Sequence, residues 1–410
     1  MKFTVDYRKK GFADGVYKVT APGYDKAILS WADKTSALED WICFASFALD
    51  KKGKGLFEFR GGRGIPKEAT HIEVKLLRYE NNIEERHLFE IPKDQITEPM
   101  PKGIPICAMS DLHISTKTDV ILYAFQQAME ADYVFLPGDL TNDGFSDEFE
   151  LLKYCIESML PNQQIFSVIG NHDMPRIPAD QEDRYAAGNY DRFQKWLLNH
   201  NAILTFETCI SSEKNRNDII NRDKNGILES GPDGAYAVSF GDFEVIGLQA
   251  VADPRKFIFE ENRQRLWLDD RLSRTKEIPW HFILCHAPLT HHNPKRMYEP
   301  FKPYLGSDRA HQSIIDNYQH IIFLTGHTHL TLNDPNGCVE WDKLHQNLYI
   351  NDGTIRRTDE VKEETLQPIE WRSGTVLQIV LTPEELEIKT VSVYSGKKHA
   401  RGYYRIRKGA

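Results

Sequence analysis

The spacing of the hydrophobic residues changes near residue 100, and this change divides the chain into two parts. Before it, short apolar runs are separated by breakers such as Pro22-Gly23 and Gly61-Gly62, and no helical period appears. Short strands at such spacing are typical of a β-sandwich. The runs are residues 27–31, 41–49, 55–59, 70–77 and 87–91. We therefore predict that residues 1–97 form a small all-β, sandwich-like domain.

Residues 98–103 are punctuated by Pro99 and Pro101, which stiffen the backbone and suggest a hinge. Beyond it, short apolar runs typical of buried central strands alternate with helix candidates. The strand candidates are residues 104–109, 133–136, 165–169, 243–248, 282–285 and 321–325. The helix candidates are residues 119–131, 147–159, 190–198, 261–274 and 308–318. This alternation predicts a layered α/β domain over residues 103–410.

Three local features of this second part are also expected. Ser146 is a good N-cap for the second helix. The polar residues 211–234 are predicted to be a long surface loop. The tail, residues 375–393, is predicted to form two strands around a Pro383-Glu384 turn and to belong to the second domain.

A polar cluster with metal-binding side chains follows five of the predicted strands. The carboxyl ends of strands in an open α/β sheet form binding sites, so these clusters are expected to converge on one edge. In extended chain, residues i and i+2 point the same way, so Asp111 and His113 can address one ion. The clusters are Ser110-Asp111-Leu112-His113, Gly138-Asp139-Leu140-Thr141-Asn142, Gly170-Asn171-His172-Asp173, Cys285-His286 and Gly326-His327-Thr328-His329.

The motifs D-x-H, G-D-x-x-N, G-N-H-D, a lone His and G-H-x-H, in this order, resemble those of the calcineurin-like metallophosphoesterase superfamily. The resemblance covers residues 104–354 and implies a core of two sheets flanked by helices, in place of a simple doubly wound sheet. The first domain in turn resembles immunoglobulin-like or fibronectin-type modules. The expected fold class is mixed α/β (α+β), a two-sheet metallophosphoesterase core preceded by a small sandwich-like domain.

The resemblance also implies a dinuclear metal site and the residues that form it. One ion would be bound by Asp111, His113 and His329, the other by Asn171, His286 and His327, and Asp139 would bridge them. His172 would be an outer-sphere acid or transition-state stabiliser, with Asp173 orienting its ring. Asn142 stands where many family members have Asp, which bears on the contacts of His172.

Two divalent transition-metal ions are the expected cofactors, since mixed imidazole and carboxylate ligands suit Mn, Fe, Zn, Co or Ni better than Mg. Two such ions about 3.5–4 Å apart can clamp the attacking and leaving oxygens of an in-line displacement. The resemblance thus implies that a metal-bridged hydroxide attacks a phosphate ester. The D-x-H and G-D-L-T-N forms resemble the cyclic-nucleotide and glycerophosphodiester branch of the superfamily more than the protein-phosphatase branch, which implies a phosphodiester substrate. The alternatives are a phosphomonoesterase of the same fold and a non-catalytic interaction scaffold.

Composition and charge indicate which partners and which cellular location to expect. The formal net charge of −9 argues against dedicated nucleic-acid binding and leaves a small phosphoester as the expected partner. No secretion signal and no run of 18 apolar residues is visible, so no membrane span is expected. The six cysteines are scattered without a C-x-x-C pair, which suits a reducing, cytoplasmic location. The sequence leaves the oligomeric state open.

For other polar residues, a structural interpretation competes with a functional one. Residues 184–193 and 295–309 follow ligand motifs and could grip a substrate, although ordinary surface loops are an equally good interpretation. Their aromatic and basic side chains are Tyr185, Tyr190, Arg296, Tyr298, Lys302, Tyr304 and Arg309. His291 and His292 are read as loop histidines. The helix that carries Asp269-Asp270 is read as presenting a solvated charged face, Arg271 included.

Overall fold

The structure, a computed structural model of the chain, describes residues 1–8, 13–33, 45–59, 65, 69–81, 83–95, 102–115, 118–174, 188–201, 204–205, 226–249, 263–289, 292, 309–329, 339–355, 374–393 and 398–409. The described strands are β1 Lys2–Tyr7, β2 Gly15–Thr20, β3 Lys26–Ala32, β4 Ala45–Ala48, β5 Lys54–Phe59, β6 His71–Arg78, β7 Ile83–Glu90, β8 Ile104–Ala108, β9 Tyr133–Leu136, β10 Gln164–Ser167, β11 Leu204–Thr205, β12 Ile227–Ser230, β13 Tyr236–Ser239, β14 Phe243–Gly247, β15 Trp280–Leu284, β16 Ile321–Thr325, β17 Val339–Asp342, β18 Asn347–Asn351, β19 Thr375–Leu381, β20 Glu385–Ser392 and β21 Lys398–Arg407. The described helices are α1 Asp119–Gln126, α2 Ser146–Met159, α3 Asn189–His200, α4 Arg263–Arg274 and α5 Arg309–Ile315, with short 3-10 turns at Lys93–Gln95 and Pro232–Gly234.

The first seven strands form two antiparallel sheets, in the orders β1-β2-β5 and β4-β3-β6-β7. They share an apolar core that includes Tyr17, Leu29 and Val74. β1 and β2 were not among the predicted runs; in β1, the apolar residues Phe3, Val5 and Tyr7 alternate with polar ones and form no continuous apolar run. That alternation is itself the signature of a strand with one buried face.

Two larger sheets form the rest of the described core, which confirms the expected two-sheet fold class. One has the order β10-β9-β8-β19-β20-β21 and the other β11-β12-β13-β14-β15-β16-β18-β17. Their facing side chains form one apolar cluster, in which the rings of Phe135 and Phe282 lie 5.0 Å apart. The strands β8, β9 and β10 run parallel, as do β14, β15, β16 and β18.

Helices cover the outer faces of both sheets. In β9, Phe135 faces the second sheet, whereas Val134 and Leu136 pack with α1, α2 and α3. In β15, Phe282 faces the first sheet and Ile283 packs with α4 and α5. Both faces are thus buried, which explains why these strands are continuous apolar runs. No helix among the described residues is long and apolar enough to span a membrane.

The remaining local predictions have mixed outcomes. Phe145 occupies the N-cap of α2, so the prediction for Ser146 was wrong; the Glu148 carboxylate instead accepts hydrogen bonds from the Phe145 and Asp143 amides. Within residues 211–234, the described end contains β12 and a 3-10 turn, not a continuous loop. The tail forms β19 and β20 around the expected turn, and β19 pairs with β8. β21 was missed.

Arg271 corrects the interpretation of α4 as a uniformly solvated charged face. Its side chain is 9% exposed, and its Nε donates to Glu244 Oε2 at 2.9 Å. Glu244 lies on β14 and is fully buried. Burial raises the pKa of Glu244, but hydrogen bonds from His281 and Arg271 outweigh it and hold the pKa below its ordinary value. The two buried charges therefore tie α4 to the second sheet.

Replacing Arg271 with methionine should lower the free energy of unfolding by about 3 kcal/mol, because the buried Glu244 carboxylate loses its arginine partner and keeps the longer, 3.4 Å contact with His281. The control is Arg274→Met, whose 46%-exposed side chain also pairs with Glu229 and should cost less than about 1 kcal/mol. Because the folded pKa of Glu244 is depressed, the difference should be present at neutral pH and shrink as the pH falls through the carboxyl range. Urea unfolding measures both; equal losses would contradict the assignment.

Candidate metal centre

Five loops carry the predicted ligands, and each follows the carboxyl end of a parallel strand. Three of them follow β8, β9 and β10 of the first large sheet, and two follow β15 and β16 of the second. The loops were predicted to converge on one edge of one sheet; they instead come from two sheets and meet where the strand ends of both lie together. The backbone links the loops directly, since the Asp111 amide donates to Gly138 O and the Gly326 amide to His286 O.

The first group of candidate ligands consists of Asp111, His113, Asp139 and His329. The His329 Nε2 atom lies 3.0 Å from Asp111 Oδ1 and 3.1 Å from His113 Nε2. The His113 Nε2 atom lies 3.7 Å from Asp139 Oδ2. One candidate ligand atom from each residue lies within 4.8 Å of the others, so a single ion could contact all four.

The second group consists of Asp139, His286 and His327. The His286 Nε2 atom lies 3.2 Å from Asp139 Oδ2 and 3.3 Å from His327 Nδ1. Asn171 joins them, because its Oδ1 lies 2.8 Å from the same His327 Nδ1 atom. Asp139 thus belongs to both groups, as a bridging ligand must, and the structure brings all seven predicted metal ligands together.

Five of these residues have a left-handed backbone: Asp111, His113, Asp139, His327 and His329 have φ between 44° and 67°. The prediction that Asp111 and His113 reach one ion through extended chain was therefore wrong. Left-handed residues other than Gly are uncommon, and such strain concentrates at functional sites. The tight turns keep the backbones close, and a Cβ at Gly170 would lie 2.1 Å from the Asp139 amide nitrogen.

The electrostatics of the cluster suit cation binding. Burial lowers the pKa of His113 to about 4 and that of His327 to about 3, so both rings are neutral at pH 7 and offer lone pairs. Burial also lowers the pKa of His286, but the Asp139 carboxylate outweighs it and raises that pKa to about 9. The negative charge of the buried Asp139 carboxylate thus favours a positive charge beside it, here on the His286 ring. This mixed donor set fits divalent transition-metal ions.

His172 lies beside the two groups and not within them. Its ring meets that of His113 edge-on, with centroids 4.5 Å apart, and its Nδ1 lies 2.7 Å from Asn142 O. The ring is therefore oriented by a backbone carbonyl, so the Asn142 side chain, which donates to Asp143, does not enter this contact. The backbone amide of His172 donates to Asp139 Oδ1 at 2.8 Å.

Asp173 does not have the expected role of orienting that ring. Its Oδ1 accepts hydrogen bonds from the Thr141 amide and hydroxyl, at 2.8 and 2.9 Å, and its Oδ2 accepts one from the Gly170 amide. Burial and the nearby Asp139 carboxylate raise the pKa of Asp173 to about 6. Asp173 thus fastens the loop after β10 to the loop after β9.

Sequence reasoning missed a sixth polar cluster, Asn351-Asp352-Gly353, which begins at the last residue of β18. The Asn351 Nδ2 donates to Gly326 O at 2.7 Å, and its Oδ1 accepts from the Thr328 hydroxyl at 2.8 Å. Asp352 contacts the Ser110 hydroxyl at 2.5 Å. The signal was available, because the cluster follows an apolar strand as the other five do.

The predicted substrate-gripping residues lie mostly outside the described part of the chain. Tyr190 and Arg309 are the exceptions: Arg309 begins α5, and Tyr190 is only 4% exposed within α3. Its hydroxyl lies 3.4 Å from Ser167 Oγ and 3.4 Å from Gln249 Nε2, which places it in the protein interior. Tyr190 therefore does not overhang the site. His292, read as a loop histidine, stacks on Tyr349 and contacts Glu340.

Three solved structures that match this chain are 11–14% identical to it in sequence. A purple acid phosphatase from yellow lupin seeds is 11% identical at TM-score 0.48, over 97% of this chain and 73% of its own. A predicted phosphoesterase from Streptococcus pneumoniae is 12% identical at TM-score 0.32, over 76% of this chain and 100% of its own. GAP50, the anchor in the inner membrane complex of Plasmodium, is 14% identical at TM-score 0.40, over 75% and 89%.

No curated protein matches the sequence. Residues 104–330, more than half of the chain, match the sequence model of the calcineurin-like phosphoesterases. This match spans all five loops that meet at the metal centre. The chain therefore belongs to the calcineurin-like phosphoesterase family.

Proposed function

We propose that this chain is a phosphodiesterase that works with two divalent transition-metal ions. The observation that carries the proposal is the position of Asp139 in both groups of candidate ligands. One group would consist of Asp111, His113, His329 and Asp139. The other would consist of Asn171, His286, His327 and Asp139.

When bound, two such ions supply Lewis-acid activation of water and neutralise the charge that develops on the phosphoryl group. The chain's own residues would position the reaction. Asp139 is held by the His172 amide, and the His327 amide donates to Asp111 Oδ2 at 3.0 Å. Since Asn142 O takes the Nδ1 side of the His172 ring, its Nε2 is the atom available to a leaving-group oxygen.

The diester preference rests on the forms of the D-x-H and G-D-L-T-N motifs. A phosphomonoesterase of the same fold is the nearest alternative, and a non-catalytic scaffold is the second. The complete ligand set argues against the scaffold, because a scaffold has no need of seven converging ligands, six of which are strained or buried. The cytoplasmic location, the domain boundary at residues 97–103 and the small phosphoester partner stay predictions.

A paired substrate assay separates these alternatives. We expect protein stripped with chelator and reloaded with Mn²⁺, Zn²⁺, Co²⁺ or Ni²⁺ to hydrolyse bis(p-nitrophenyl) phosphate faster than p-nitrophenyl phosphate. Faster turnover of the monoester would indicate a phosphomonoesterase. Two bound metal equivalents with no turnover of either ester would indicate a scaffold. Stripped protein without added metal is the control, and it should be inactive.

A further inference from the structure

The hydroxyl of Ser110 lies between two buried carboxyl groups. It contacts Asp111 Oδ2, which belongs to a proposed metal ligand, and it lies 2.5 Å from Asp352 Oδ1. It also lies 3.1 Å from Gly353 O. A serine hydroxyl has one proton to donate, whereas all three neighbours are ordinarily acceptors. At least one neighbour must therefore donate to Ser110, and a carboxyl group can do so only when it is protonated.

Asp352 is placed to be that donor. It is fully buried, and its Oδ2 has no hydrogen-bond partner among the described residues. An ionised carboxylate with one hydrogen bond and no paired cation is costly in a protein interior. Burial accordingly raises the pKa of Asp352 well above its ordinary value. Asp111 differs from Asp352, since its carboxylate accepts a hydrogen bond from the His327 amide and lies 3.0 Å from His329 Nε2.

We propose that Asp352 is an uncharged carboxylic acid that donates a hydrogen bond from Oδ1 to Ser110 Oγ, so that the Ser110 hydroxyl donates in turn to Asp111 Oδ2. Asp352 is then a positioning residue that acts on the metal centre through Ser110. The relay fixes one oxygen of Asp111 and leaves Oδ1, which faces His329, for an ion. Groups that hold metal ligands in place in this way contribute to metal affinity.

The surrounding backbone leaves the relay little room to move. The Asp352 amide donates to Thr325 O at 2.8 Å, which anchors it beside β16. A Cβ at Gly326 would lie 2.2 Å from Ser110 Oγ, so the turn before His327 closes directly over the hydroxyl. Loss of the Asp352–Ser110–Asp111 hydrogen bonds should therefore change the position of Asp111 more than it changes the sheets.

This inference rests on the proposed function, because it takes Asp111 to be a metal ligand. Its test uses the full chain, and the readout is Mn²⁺ affinity by calorimetric titration, with turnover measured separately. Asp352→Asn keeps the shape and can donate from Nδ2 to Ser110. Asp352→Leu fills the space but cannot donate, and Ser110→Ala interrupts the relay by a smaller change. Arg271→Met is the control for lost stability alone.

We expect Asp352→Leu and Ser110→Ala to weaken one of two Mn²⁺ sites about 10- to 100-fold, while Asp352→Asn stays near wild type. Arg271→Met should keep both affinities despite its lower stability. Equal losses in Asp352→Asn and Asp352→Leu would overturn the proposal, since Asp352 would then act as an anion. Unchanged affinities in Asp352→Leu and Ser110→Ala would also overturn it. If the wild type binds two ions but has no turnover, the proposed function is contradicted. The Mn²⁺ affinities of the variants would still test the role of Asp352.

Discussion

Replacing Asp139 with alanine should abolish phosphoester hydrolysis and reduce bound metal from two equivalents to one or none. Asp139 is the residue shared by both ligand groups, and its Oδ2 lies 3.2 Å from His286 Nε2 and 3.7 Å from His113 Nε2. Without this carboxylate, both candidate ions lose a negative ligand. We expect turnover to fall on the order of 10³-fold or more, as when an essential electrostatic group is removed.

The measurement is metal content by elemental analysis, together with turnover of bis(p-nitrophenyl) phosphate. The matched control is Asp132→Ala, which removes an exposed carboxylate just before β9, at the opposite end of the strand from Asp139. That variant should keep both metals and normal turnover. Full metal occupancy with near-normal turnover in Asp139→Ala would refute the bridging role.

Replacing His172 with alanine should have a different effect, in which both metals remain and most of the turnover is lost. The ring contacts Asn142 O through Nδ1 and lies edge-on to His113, so it borders the ligand groups without joining them. General acid catalysis contributes typically 10²- to 10⁴-fold, and we expect a loss of about this size in kcat on an alkyl phosphoester. On an aryl ester, whose leaving group needs little protonation, the loss should be smaller.

Paired kinetics on the two esters, with metal content measured in parallel, separate the possible roles of His172. His87→Ala is the control, because His87 lies on β7, outside the candidate ligand groups, and contacts Glu85. Loss of metal in His172→Ala would make His172 a ligand. Equal slowing on both esters with metals retained would assign it to charge stabilisation at phosphorus instead of proton donation.

The residues that meet at the candidate metal centre could be predicted from the sequence because the pattern that marks them is local. Each ligand follows an apolar strand within a few residues, so the short-range pattern of strand and polar cluster locates it. The backbone conformation could not be predicted in the same way. Asp111 and His113 were expected in extended chain, yet both adopt positive φ values that only the surrounding loops can impose.

Contacts between distant parts of the chain account for the other failures. Ser110 and Asp352 are 242 residues apart, and nothing local to either residue indicates their meeting. Arg271 resembles its solvated helix neighbours in sequence, but its partner Glu244 lies on a separate strand. Asp173 likewise bonds to Thr141, 32 residues away, and not to the adjacent histidine.

Turnover as a function of bound metal tests the central claim most directly. Chelator-stripped protein would be titrated with Mn²⁺ or Zn²⁺, and hydrolysis of bis(p-nitrophenyl) phosphate would be recorded against measured equivalents. If Asp139 joins two ions into one catalytic centre, activity should stay low at one equivalent and reach its plateau at two. Full activity at one equivalent, or two tightly bound equivalents without hydrolysis of any phosphoester, would contradict the dinuclear phosphoesterase assignment.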